Sequence, residues 1–168
     1  MNNLDAVLNF THINVRREKA GEDDGNVACD LKLSGELGAD ALKGLFGTPN
    51  SYDRVMGNVW TKDGDLASTD LGEIKLTCEL STCRINLKVP DSTDVEVFES
   101  GELNKVRIKP LAGRVCEVNL RLQVHPDEDQ IAWLSSHLGY DLHATVAKRQ
   151  GELNLQRTAG TGAEAAVH

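Results

Sequence analysis

Aromatic side chains are scarce in this 168-residue chain: two Trp, two Tyr and three Phe, 4% of the whole. The core must therefore rest on Val, Leu, Ile and Ala. A surface that grips single-stranded nucleic acid by stacking bases on several rings is disfavoured for the same reason. No stretch approaches the roughly 18 apolar residues of a membrane-spanning helix. Met1-Asn2-Asn3-Leu4-Asp5 has neither the positive charge nor the apolar run of a signal peptide. These absences predict a soluble protein of a reducing cytoplasm, with no membrane partner. Positive charge is also lacking: the formal net charge is −8, with 14 acidic residues in 1–84 and 12 in 85–168, and neither half forms a basic arm. A duplex phosphate backbone is repelled at long range by such a chain. Gly-x-Ser-x-Gly, a phosphate loop and His-Glu-x-x-His are all missing, so the expectation is a non-enzyme with no catalytic residue, metal or cofactor.

What is present is ordinary for a globular protein, 40% hydrophobic and 26% charged. Residues 1–150 are expected to form one domain, and the Gly-, Ala- and Thr-rich stretch 151–168 a flexible tail. Period-two patterns dominate. Residues 8–19 alternate weakly, 21–26 read as a polar turn, and Val27, Cys29, Leu31 and Leu33 complete a hairpin. A second hairpin is expected through a loop at Ser81-Thr82, setting Leu80 against Cys83, Cys78 against Ile85, Leu76 against Leu87 and Ile74 against Val89. A third joins 105–109 to 116–124, with Ile108 opposite Cys116 and Val106 opposite Val118. Residues 39–46 suggest a short helix stopped by Gly47 and Pro49. In the poorly patterned stretch 50–72, Val55, Val59 and Trp60 suggest strand. One helix is clear at about 126–138, with Pro126 in its first turn, His125 at the cap position and Gly139 as its stop. A last strand spans about 140–147. The fold class is α+β and β-rich: a mainly antiparallel curled sheet or small sandwich.

Few constellations suggest chemistry. Cys78 and Cys83 are five apart, and with Cys29, Cys116 or a histidine could make a zinc site or disulfides. All four thiols share the apolar parity of their strands, which favours buried, free cysteines. The row Lys105, Arg107 and Lys109, extended by Arg121, is the candidate nucleic-acid or partner face, although a solvated sheet face alternates in the same way. Asp127, Glu128 and Asp129 beside His125 read as helix-start chemistry. Asp23-Asp24-Gly25-Asn26 and Asp63-Gly64-Asp65 read as turns, lacking the calcium-loop spacing.

Asn104-Lys105-Val106-Arg107-Ile108, a turn with Gly113, and Arg121-Leu122-Gln123-Val124-His125-Pro126-Asp127-Glu128 carry a resemblance. Over residues 83–147 the chain resembles an uncharacterised family of small proteins of tailed bacteriophages and prophages. Asn14-Val15-Arg16 and Leu31-Lys32-Leu33 match more loosely. The resemblance implies a phage setting in a host cytoplasm and transfers no functional residue. The leading expectation is an accessory protein that binds a host or phage protein. The alternatives are a nucleic-acid-handling factor, using the Lys105, Arg107 and Lys109 face, or a structural virion component.

Overall fold

The computed structural model describes residues 3–18, 27–77 and 79–148. Strand alternation dictates the framework. On β1 (Asn3–Arg17), Leu4, Ala6, Leu8 and Phe10 are buried while Asp5 and Val7 are exposed. On β6 (Val115–Val124), Cys116, Val118, Leu120, Leu122 and Val124 are all buried. Between them lies β2 (Val27–Gly38), antiparallel to both. The first hairpin therefore forms as expected, and its turn at 21–26 falls outside the described residues, as does the stretch 151–168.

The remaining strands are β3 (Ile74–Lys75), β4 (Leu80–Lys88), β5 (Val95–Leu111) and β7 (Asp141–Lys148). The sheet runs β3-β5-β4-β7-β1-β2-β6, every pairing antiparallel. A further β5–β6 ladder joins its ends. The sheet thus curls until it closes into a six-stranded ring, with β3 appended to β5. Gly101 belongs to both ladders of β5, opposite Cys83 and opposite Val124. A Cβ there would lie 2.5 Å from Ile85 Cδ1 and 2.9 Å from Gln123 O, so only glycine lets the strands meet this closely.

Three sequence expectations need correction. No hairpin forms at Ser81-Thr82: β4 runs through both residues, flanked by β5 and β7. A two-residue hairpin loop needs positive φ at both positions or glycine at the first. Here only Thr82 is left-handed (φ 58°), inside a register shift between Leu80 and Cys83, so the chain bulges instead of turning. Ile74 consequently pairs with Ile108, not Val89. In the third hairpin Ile108 faces Val118 and Pro110 faces Cys116, two residues from the expected register. A slip of two preserves the buried face, which is why parity alone did not reveal it.

The helices also differ. α1 (Ala39–Lys43) is shorter than expected, and Pro49, read as a stop, begins α2 (Pro49–Met56). The Ser51 hydroxyl accepts the Thr48 N–H at 3.1 Å, and proline suits a first helical turn, where its missing N–H costs nothing. Val55 accordingly sits on a helix rather than a strand. α3 (Glu128–Ser136) is capped by Asp127, whose Oδ1 accepts the Gln130 N–H at 2.8 Å; His125 lies outside it, and Pro126 precedes the cap. α1 and α2 add Leu42, Tyr52 and Met56 to the core, and α3 adds Leu134.

Candidate binding groove

Two bulges shape the outer face of the sheet. On β1 the register jumps between Phe10 and His12, so Thr11 is an extra residue. On β5 it jumps between Asn104 and Arg107, and Lys105 there has a φ of 52°. A bulge adds one residue to a strand, sharpens its twist and re-aims a side chain. These two lie on the outer strands of the run β1-β2-β6-β5, and between them is an open groove of ≈ 620 Å³. β1 lines it with Thr11, His12 and Asn14, and β2 with Asp30, Lys32 and Leu33. β6 contributes Asn119, Leu120 and Arg121, β5 contributes Lys105 and Arg107, and Glu73 closes one side.

A chain of polar contacts stiffens the floor. Arg121 donates Nε–H to Asn104 Oδ1 at 2.6 Å and reaches Asp30 Oδ2 with Nη1 at 3.4 Å. The same Asp30 oxygen faces Arg16 Nε at 3.6 Å, while Asp30 Oδ1 is buried without a hydrogen-bond partner. Arg16 also binds Glu18 at 2.6 Å, and Glu18 contacts His125 Nε2 at 3.2 Å. The His125 hydrogen bond, reinforced by Arg16, holds the Glu18 carboxyl below its ordinary value. His125 thus ties the α3 connector to the end of β1, a role its sequence neighbourhood did not suggest.

Charge in the groove is unbalanced. Arg121 and Arg107 have carboxylate partners, the latter Glu73 at 3.2 Å. Lys32 and Lys105 have none among the described residues. Four cations therefore stand against the two carboxylates of Asp30 and Glu73, on a chain whose net charge is −8. Among the described residues no aromatic ring lines the groove apart from the His12 imidazole.

Of the sequence candidates, Lys105, Arg107 and Arg121 come together here, and Lys109 lies outside the lining. Lys32, His12 and Asn14 were missed. Their polar, outward parity was visible, but only the β1–β2–β6 pairing, with Lys32 opposite both His12 and Arg121, brings them to one surface. Cys29, Cys83 and Cys116 are buried and free, and Cys78 falls outside the described residues. Among the described residues no three His, Cys, Asp or Glu side chains group as metal ligands would, and no helix is long and apolar enough to cross a membrane. No family model, curated protein or solved structure matches the chain.

Proposed function

We infer that this chain is a non-enzymatic binding protein that holds a partner protein by an acidic stretch seated in the groove. The phage-like sequence features make a host or phage protein in the host cytoplasm the natural partner. The observation that carries this reading is the pair of bulges facing each other across the groove, one adding Thr11 and the other Lys105. Bulges concentrate beside functional surfaces. Lys32 and Lys105 stand there without carboxylate partners among the described residues, and Arg121 is held at the floor by Asn104 and Asp30. Cations fixed in place lose little freedom when an anionic group arrives. The sparse aromatic content and negative overall charge support protein over nucleic acid.

Affinity capture from host lysate tests the reading. The native chain is compared with a Lys32→Gln/Lys105→Gln/Arg107→Gln variant, each with and without nuclease. The variant should stay folded, since exposed substitutions of this kind shift stability by about 0.5 kcal/mol or less each. A protein partner that survives nuclease and is lost with the variant is the expected result. Capture undiminished in the variant removes the groove from the interface. Captured nucleic acid that vanishes with nuclease replaces the reading with the nucleic-acid one.

A further inference from the structure

β1 leaves one flank of its second half unpaired. It pairs with β7 over Asn3–Asn9 and with β2 over Asn9–Arg17. Phe10 still exchanges backbone hydrogen bonds with Tyr140 and Gly139, at 2.9 and 2.7 Å. Beyond it, Thr11–Arg17 has no backbone partner on that flank among the described residues. Such an edge is a template for another strand.

A second half-open strand shows the contrast. Over Val95–Ser100, β5 pairs with β4 alone. There Gln130 of α3 reaches across, donating Nε2–H to Val97 O at 3.2 Å and to Glu96 Oε1 at 2.7 Å. That edge is guarded by a side chain, and the β1 edge has no equivalent among the described residues.

Side chains alternate across the open edge. His12, Asn14 and Arg16 lie on the groove side, His12 and Asn14 in register with Lys32 and Asp30. Ile13 and Val15 lie on the other, in register with Leu31 and Cys29, and Val15 is 51% exposed. A strand added at this edge sets one row of side chains beside the groove and the other beside Ile13 and Val15.

We propose that Thr11–Arg17 accepts an extended segment of the partner protein as an added strand, with acidic and apolar side chains in alternation. The proposal rests on the groove being the partner-binding face and specifies how the partner's chain lies along its rim. Main-chain hydrogen bonds supply affinity in this mode and the alternating side chains supply specificity. Charge selects the occupant. Arg17, on the edge strand, and Lys32, one strand further in on β2 beside His12, have no carboxylate partners among the described residues. A second copy paired antiparallel about Asn14 would bring two net-positive grooves side by side, an arrangement of like charges that disfavours pairing. An acidic strand meets the opposite charge.

The test uses the full chain and a labelled synthetic peptide that alternates Glu and Val, matched in length to the edge. Two further peptides carry N-methyl groups on alternate amides, one set per strand flank. The unmodified peptide should bind and slow hydrogen exchange at Thr11–Arg17 amides. One methylated peptide should lose roughly tenfold or more, the loss of one or more backbone hydrogen bonds, while the other binds nearly as before. Three results overturn the proposal: no binding, equal binding by all three peptides, or protection outside Thr11–Arg17. A dimer in sedimentation that dissociates on adding peptide also overturns it, by assigning the edge to a second copy. So does binding seen only after residues 149–168 are deleted, which assigns it to the chain's own C-terminal segment. The groove is judged separately, by the Lys32/Lys105/Arg107 capture experiment: equal binding by all three peptides together with capture lost in that variant removes the added strand and keeps the groove.

Discussion

Arg121, in the middle of β6, donates its Nε–H across 2.6 Å to Asn104, the residue at which β5 begins to bulge. Asn104 is only 5% exposed, while Arg121 is 21% exposed in the groove, so the bond is partly shielded from water. Asn104→Ala should cost about 1–2 kcal/mol by denaturant unfolding, the loss of a partly shielded hydrogen bond from a charged donor. The same change should weaken partner capture, because Arg121 then loses one of its two anchors. Unfolding that matches the native chain would show that the bulge holds without this bond.

The crowding at Gly101 gives a second expectation. An alanine methyl would meet both the Ile85 side chain and the Gln123 carbonyl. Ile85 can rotate away, but the carbonyl belongs to β6, so the β5–β6 ladder must shift. Gly101→Ala should destabilise by about 1–3 kcal/mol, as over-packing does. A neutral result would mean that the two ladders slide past each other at little cost.

Leu120 and Leu122 face inward on β6, at 3% and 0% exposure. Leu122 stands opposite both Leu31 and Leu103. Leu120→Ala or Leu122→Ala should each lower stability by about 2–5 kcal/mol, from lost transfer energy plus the cavity left behind. Changes within experimental noise would place β6 with its other face inward.

The thiols report burial through pH. Burial pushes the Cys29 and Cys83 thiols up, and Cys116 up to about 11 from a reference of 9.0, because the thiolate would lose its hydration. In the unfolded chain Cys116 ionises near its reference value. The stability it lends is therefore full below pH 9 and is lost as the pH rises towards 11. In a Cys78→Ser chain, thiol reagents at neutral pH should find almost nothing in the native protein, and Cys29, Cys83 and Cys116 after denaturation. Rapid native labelling of Cys116 would contradict its burial.

Much of the fold was legible because alternation is local. Val27 to Leu33, Val106 to Ile108 and Cys116 to Val124 each declare which face is buried without reference to any other segment. Pairing is not local. The apolar run at 74–89 fits a hairpin at Ser81-Thr82 as well as it fits one strand between two distant partners, and Thr82's backbone decides between them. The helix at Pro49 was missed because proline ends one helix and starts another with equal ease, and Ser51 was the clue to its direction. For the groove, Lys105 and Arg107 were visible as neighbours on one strand. Lys32 and His12 became their neighbours only through β2 lying between β1 and β6. The two bulges left a trace in the hydrophobic pattern, an odd step from Phe10 to Ile13 on β1 and from Leu103 to Val106 on β5, which reads as weak alternation until the partner strands are known.

The placement of β7 has a consequence for how the molecule is made. Although the last of the described strands, it lies between β1 and β4 and completes the ring. Until Asp141–Lys148 has left the ribosome, the Asn3–Asn9 half of β1 and the β4 flank that β7 covers both lack a partner. Folding must therefore wait for nearly the whole described chain, and contacts between its two ends make it slow. During that wait the nascent protein carries two exposed strand flanks, and chaperones have their best opportunity to act on it.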